Sequence, residues 1–287
     1  MAFQTLIDVH ALQKLLEEPR LAVVDCRFDL MNPEAGRLAY LRAHIPGARY
    51  ADLNRDLSAP IGAHTGRHPL PSPEAFAAWL GAIGIGDDTQ VVAYDEANGS
   101  IAARLWWMLR WLGHGAVAVL DGGFKAWTDH GGALQAGDAG PPPGGREARH
   151  FTPRADFGSV VSTTDLENSL RDRKSLLVDA RAPERYAGAL EPIDPVAGHI
   201  PGAVNHPFTA SLGADGRFLP AAELKRRWEE DLPGADFTNL VAMCGSGVTA
   251  CHNLLSLEVA GLSGAKLYAG SWSEWIRDPG RPVARGQ

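Results

Sequence analysis

Short apolar runs alternate along this chain with stretches of helical period. The runs LAVVDCR (Leu21–Arg27), VVAYD (Val91–Asp95), AVAVLDGG (Ala116–Gly123), LLVDAR (Leu176–Arg181) and NLVAMC (Asn239–Cys244) have no polar alternation. Strands buried on both faces read this way. Between them, SIAARLWWMLRWLG (Ser100–Gly113) carries apolar residues on most faces and predicts a helix that stops at Gly113. STTDLENSLRDR, from Ser162, opens with hydroxyl and carboxylate residues suited to capping a helix start. Strand–helix alternation predicts an α/β fold, a mainly parallel sheet with helices on both faces. In such sheets, sites form at the carboxyl ends of strands.

The pattern occurs twice. LAVVDCR is echoed by LLVDAR, AHIPGA (Ala43–Ala48) by GHIPGA (Gly198–Ala203), VVAYDEANGSIAAR (Val91–Arg104) by LVAMCGSGVTACHN (Leu240–Asn253), and DGGFKAW (Asp121–Trp127) by AGSWSEW (Ala269–Trp275). Each pair is about 150 residues apart, in the same order. Two tandem homologous domains are expected, 1–136 and 151–287. The segment 137–150, rich in Gly and Pro, is read as a linker.

Composition narrows the function. The 287 residues are 45% hydrophobic, which permits a substantial core, and the net charge is -7. That charge, without any basic block, argues against nucleic acid. No apolar run is long enough to cross a bilayer, and the N-terminus lacks the pattern of a signal peptide. Three cysteines, Cys26, Cys244 and Cys251, make no disulfide framework. The expectation is a cytoplasmic protein with free thiols and no membrane partner. No spacing of Cys and His suggests a metal site.

The loop after Asn239–Met243 carries the chemistry. Cys244 stands at a strand end and is followed by Gly245, Ser246, Gly247, Val248 and Thr249, with a helix expected to begin near 248–250. Amides of residues 245–249 lack partners within that helix, and glycines let them curl inward. Such a cradle stabilises a thiolate. The matching position of the first half is Asp95, so that half is expected to be non-catalytic and the second catalytic.

The motifs CGSGVTA, GHIPGA, LDGG and GSWSEW together resemble the two-domain rhodanese-type sulfurtransferases, over nearly the whole chain. The resemblance implies two rhodanese-like domains, an inactive one before an active one, and a persulfide on Cys244. The two residues after Cys244 are neutral, unlike the basic pair of thiosulfate-using members. CGSGV resembles the 3-mercaptopyruvate sulfurtransferases, with the thiosulfate:cyanide enzymes as the alternative. The resemblance further implies proton transfer through Ser246 and His68, and recognition of the donor's carboxylate by Arg185, whose fork suits it. Gly245, Gly247, Val248 and Thr249 would surround the transferred sulfur. A second arginine that the family places near Glu191–Pro195 is missing here, and the family's aspartate behind the histidine is Asn54, with Asp52 and Asp56 nearby. Arg67 is a further cation beside His68.

The implied chemistry is ping-pong, from a small-molecule sulfur donor to a thiol, thioredoxin or cyanide, with no cofactor. Two rivals are weaker. A cysteine phosphatase needs Cys-x5-Arg, and the sixth residue after Cys244 is Ala250. A binding module would not need the contrast between Cys244 and Asp95. His44 and His199, present in both repeats, are expected to brace loops. Arg181 is expected to be structural, and Cys26, Cys251 and the tryptophans of Trp106–Trp111 to be packed. Trp272 and Trp275 are expected either to wall the site or to pack a helix.

Overall fold

The computed structural model describes residues 2–138, 148–172 and 174–286. The chain forms two compact units. One comprises Met1–Ala59, Pro71–Asp156 and Gly213–Phe218, the other Pro60–Leu70, Phe157–Leu212 and Leu219–Gln287. Most of the expected linker, residues 139–147, lies outside the described residues. Its described flanks pack on the first unit: Gly137 donates to the Leu41 carbonyl at 2.8 Å and Arg149 to the Gly81 carbonyl at 2.9 Å.

In the first unit the order is β1 (Leu6–Ile7), α1 (Val9–Leu15), β2 (Leu21–Asp25), α2 (Glu34–Arg42), β3 (Arg49–Tyr50), α3 (Pro73–Ala82), β4 (Gln90–Tyr94), α4 (Ala102–Trp111), β5 (Val117–Leu120) and α5 (Gly123–Asp129). The five strands pair in parallel in the order β1-β5-β4-β2-β3. Every residue of β2 is buried, which explains its unbroken apolar run. In α4 every residue but Arg110 is buried, so this helix lies inside the fold rather than on it. Gly113 follows it with φ 81°, the left-handed turn expected of a helix stop.

The second unit repeats the plan. It contains α6 (Thr163–Arg171), β6 (Leu176–Asp179), α7 (Pro183–Tyr186), β7 (Val204–Asn205), α8 (Ala221–Asp231), β8 (Leu240–Met243), α9 (Thr249–Val259), β9 (Lys266–Leu267) and α10 (Ser271–Trp275). Its parallel sheet runs β7-β6-β8-β9. Val160 bridges Leu267 in parallel, in the place that β1 takes beside β5. Ser162 caps α6 by accepting from the Asp165 amide. Met243, Tyr268, Trp272 and Trp275 share one buried apolar cluster, so both tryptophans pack the interior.

The repeated HIPGA segments are built alike. His44 Nδ1 bonds the Tyr40 carbonyl at 2.8 Å, and its ring stacks on Tyr40 with centroids 4.1 Å apart. His199 bonds the Tyr186 carbonyl at 2.9 Å and stacks on Tyr186 at 3.8 Å. Both histidines brace loops. Arg27 and Arg181 each fork a buried carboxylate two residues earlier, Asp25 and Asp179, with closest contacts of 2.6 Å.

Candidate active site

Cys244 follows the last residue of β8 and precedes α9, whose first helical residue is Thr249. Burial of both elements fixes the tight turn between them. Gly247 takes φ 76°, and a Cβ there would meet the Ala269 carbonyl oxygen at 2.4 Å, so only glycine fits. Among the described residues, the amides of Gly245, Ser246 and Val248 donate to no protein acceptor. The first turn of α10 braces this loop from the other side. Cys244 donates its amide to Ser271 Oγ at 3.1 Å, while its carbonyl accepts from Trp272 at 3.0 Å and that of Gly245 accepts from Ser273 at 2.9 Å.

The sister loop in the first unit has the same brace, with Phe124 and Lys125 donating to the carbonyls of Asp95 and Glu96 at 2.8 and 2.9 Å. There the side chain at the cysteine position fills the turn itself. Asp95 Oδ1 accepts from the Gly99 amide at 2.9 Å, and Oδ2 from the Ile101 and Ala102 amides at 2.8 and 3.1 Å. Burial pushes this carboxyl above its ordinary range, and the amide bonds partly offset that. In the first unit the loop amides thus converge on a carboxyl group of the same chain, at the position that Cys244 takes in the second.

Around Cys244 the second unit assembles several of the residues singled out from sequence. Ser246 Oγ and His68 Nδ1 lie 2.7 Å apart. Cys244 is 2% exposed, His68 2% and Ser246 6%. His68 and Arg67 belong to the segment Pro60–Leu70, held within the second unit by the bond from the Arg67 amide to Ser273 Oγ at 3.0 Å. Gly245 lies under two guanidinium groups. A Cβ on it would sit 3.2 Å from Arg67 Nη2 and 3.5 Å from Arg185 Nη1 and Nη2.

Two carboxylates that the sequence reading passed over hold these arginines. Asp194 Oδ1 bonds Arg67 Nη1 at 2.5 Å, and Oδ2 bonds Arg185 Nη2 at 3.1 Å. Glu191 accepts from Arg185 Nε and Nη2, with a closest contact of 2.8 Å, and stands 3.5 Å from Arg181 Nη1. Burial pushes the Glu191 carboxyl up, but the bonds from Arg185 and from the Asp194 and Ile193 amides outweigh it and hold it below the usual range. Both carboxylates come from the segment Glu191–Pro195, where the missing second arginine drew attention instead. Two acidic residues there, beside arginines already suspected of substrate contact, were the available signal.

The remaining candidates have other places. Val248 is buried at the start of α9, and Thr249 is half-buried as its first residue. Asp52 accepts from the Asn54 and Arg55 amides, and Asp56 from the Asp52 amide, so these two acids close a local turn. Cys26 and Cys251 are fully buried. Burial, with Asp25 beside it, pushes the Cys26 thiol up. Cys251 Sγ donates to the Gly247 carbonyl at 3.3 Å. No group of three or more His, Cys, Asp or Glu able to hold a metal occurs among the described residues. No helix of the described residues is long and apolar enough to cross a membrane.

A family profile for the rhodanese-like domain matches residues 8–130 and 162–278. A probable 3-mercaptopyruvate sulfurtransferase of Pseudomonas aeruginosa is 50% identical over all of both chains. A putative thiosulfate sulfurtransferase of Mycobacterium tuberculosis is 40% identical, over 93% of this chain and 91% of its own. Among solved structures, the 3-mercaptopyruvate sulfurtransferase from Leishmania major superposes with a TM-score of 0.82 at 31% identity, covering 96% of this chain and 76% of that one. With two matched domains, a twice-built parallel sheet and full-length relatives of this kind, the chain belongs to the rhodanese-like family of sulfurtransferases.

Proposed function

We propose that this chain is a 3-mercaptopyruvate sulfurtransferase working through a persulfide on Cys244, with Cys244 and Ser246 in the catalytic domain 151–287, His68 joining them from the segment Pro60–Leu70 that groups with that domain, and an otherwise non-catalytic domain at 1–136, joined by the linker 137–150. The Ser246–His68 contact of 2.7 Å, beside a cysteine followed by a neutral Gly-Ser pair, carries this reading. The Cys244 thiolate attacks the donor's thiol sulfur. A Cys244 S–S bond forms, the donor's C–S bond breaks, and the electron pair leaves on carbon as the pyruvate enolate. Ser246 and His68 return a proton to that enolate, giving pyruvate. The persulfide rests among the amides of Gly245, Ser246, Gly247, Val248 and Thr249. A thiophile, either a thiol, thioredoxin or cyanide, then takes the outer sulfur, and its bonding pair returns to Cys244. No external oxidant enters either half.

Arg185 and Arg67 are the cations placed to receive the donor's carboxylate. Both border Gly245, and their side chains keep 17% and 21% exposure. Arginine forks carboxylates well. A cytoplasmic site of action agrees with three cysteines that form no disulfide.

A second reading, transfer from thiosulfate to cyanide, is favoured by the 40% identical mycobacterial relative named for thiosulfate. It uses the same cysteine: sulfur passes to Cys244 and sulfite departs with the electron pair. Measuring kcat/KM for both donors separates the two. The proposal expects 3-mercaptopyruvate to be the better substrate, and preference for thiosulfate overturns it.

A further inference from the structure

The charged groups behind the loop form one alternating row: Asp179, Arg181, Glu191, Arg185, Asp194, Arg67. It begins in the interior, where Asp179 and Arg181 are 0% and 1% exposed, and ends at Arg67, beside Gly245. Three guanidinium groups meet three carboxylates, so the row is neutral as a whole. The loop itself adds no charge at Gly245 or Ser246. At its outer end Arg67 has a single carboxylate partner among the described residues, Asp194. Its Nε is buried with no partner among the described residues, and its Nη2 faces the position a Cβ on Gly245 would take.

We infer that Asp194 and Glu191 are specificity-determining residues, which neutralise the arginines of the donor site so that it accepts a monoanion and rejects a dianion. This rests on the proposed sulfurtransferase chemistry at Cys244. The unspent N–H groups of Arg67 and Arg185 fork one carboxylate, so the row and the donor together carry one net negative charge beside the Cys244 thiolate. Thiosulfate would leave two, in a place where Asp194 and Glu191 are each only 3% exposed and water screens little. Two bare arginines would favour the dianion. The two acids remove that advantage without touching the donor.

The test compares Asp194→Asn and Glu191→Gln with the wild type, reading kcat/KM for thiosulfate and for 3-mercaptopyruvate. Each variant adds one net positive charge at nearly constant volume. The expected result is a rise of roughly tenfold or more in the thiosulfate to mercaptopyruvate ratio, larger at low ionic strength. A merely structural role would depress both donors together and leave the ratio unchanged, which overturns the inference, as does a fall in the ratio. Glu191→Gln keeps the test available if Asp194→Asn fails to fold. Single-turnover mass measurement on the wild type tells the two claims apart. A Cys244 adduct with an unmoved ratio sinks only the charge inference, whereas no adduct from either donor sinks the sulfurtransferase reading and the inference with it.

Discussion

Ser271, whose hydroxyl accepts the Cys244 amide at 3.1 Å, holds φ 54°, nearly the 58° of its counterpart Gly123 in the first unit. A left-handed backbone costs a residue with a Cβ about 1–2 kcal/mol. In the first unit glycine takes the turn freely. In the second, a serine is strained there, and its Oγ also donates to the Tyr268 carbonyl at 2.9 Å. The hydroxyl is what the strain secures: it ties the amide at the base of the cysteine loop to the first residue of α10.

Two variants separate strain from hydrogen bonding. Ser271→Ala keeps the strain and loses both bonds. Ser271→Gly loses the bonds but relieves the strain. Ser271→Ala is expected to be less stable than Ser271→Gly by about 1 kcal/mol in denaturant titration. Both should slow sulfur transfer, and equal stabilities would show that the αL position carries no cost.

Ser246 and His68 act as one unit in the proposed proton transfer. Ser246→Ala and His68→Gln are each expected to lower kcat with 3-mercaptopyruvate roughly 100-fold. The double variant should lose little more than either single one, because a relay broken once is broken. Additive losses in kcat would separate the two residues.

The sister loop provides a contrast. Asp95→Ala leaves the amides of Gly99, Ile101 and Ala102 without their acceptor in the first unit. A stability loss of about 1–3 kcal/mol is expected, with kcat unchanged for the folded protein. A large fall in kcat at unchanged stability would tie that loop to the chemistry.

Acidification should destabilise the fold through two buried histidines. Burial pushes His206 below its ordinary value of 6.5, and its 2.7 Å bond to Asp231 does not cancel that. Burial lowers His114 likewise. The unfolded chain takes up protons below about pH 6.5 that the folded chain refuses, so stability is full above that pH and falls as pH drops toward the folded values. Denaturant titrations at pH 7.5 and 5.5 should show this loss. His206→Asn should shrink it by up to about 1 kcal/mol, and an unchanged slope would exclude His206 as a cause.

Much of this was legible in the sequence because the physics is local. Runs such as Leu21–Asp25 read as buried strands and are buried strands, and the glycines after Cys244 permit the tight turn that Gly247 takes at φ 76°. The repeat itself exposed the Cys244–Asp95 contrast. What could not be read was side-chain pairing across distance. Asp194 follows Arg67 by 127 positions, and only folding makes them neighbours. The grouping of Pro60–Leu70 with the second unit was hidden for the same reason, since no composition shift marks it. Nor does anything in GSWSEW announce that its first serine, Ser271, takes a glycine's conformation.

The central claim is that sulfur resides on Cys244 between two half-reactions. Intact-protein and peptide mass measurement after brief exposure to 3-mercaptopyruvate tests it most directly. The account predicts a gain of one sulfur atom on the peptide holding Cys244, its removal by cyanide or a thiol, and no gain in Cys244→Ser. Active protein without that adduct, or with the added sulfur on Cys26 or Cys251 instead, would contradict it.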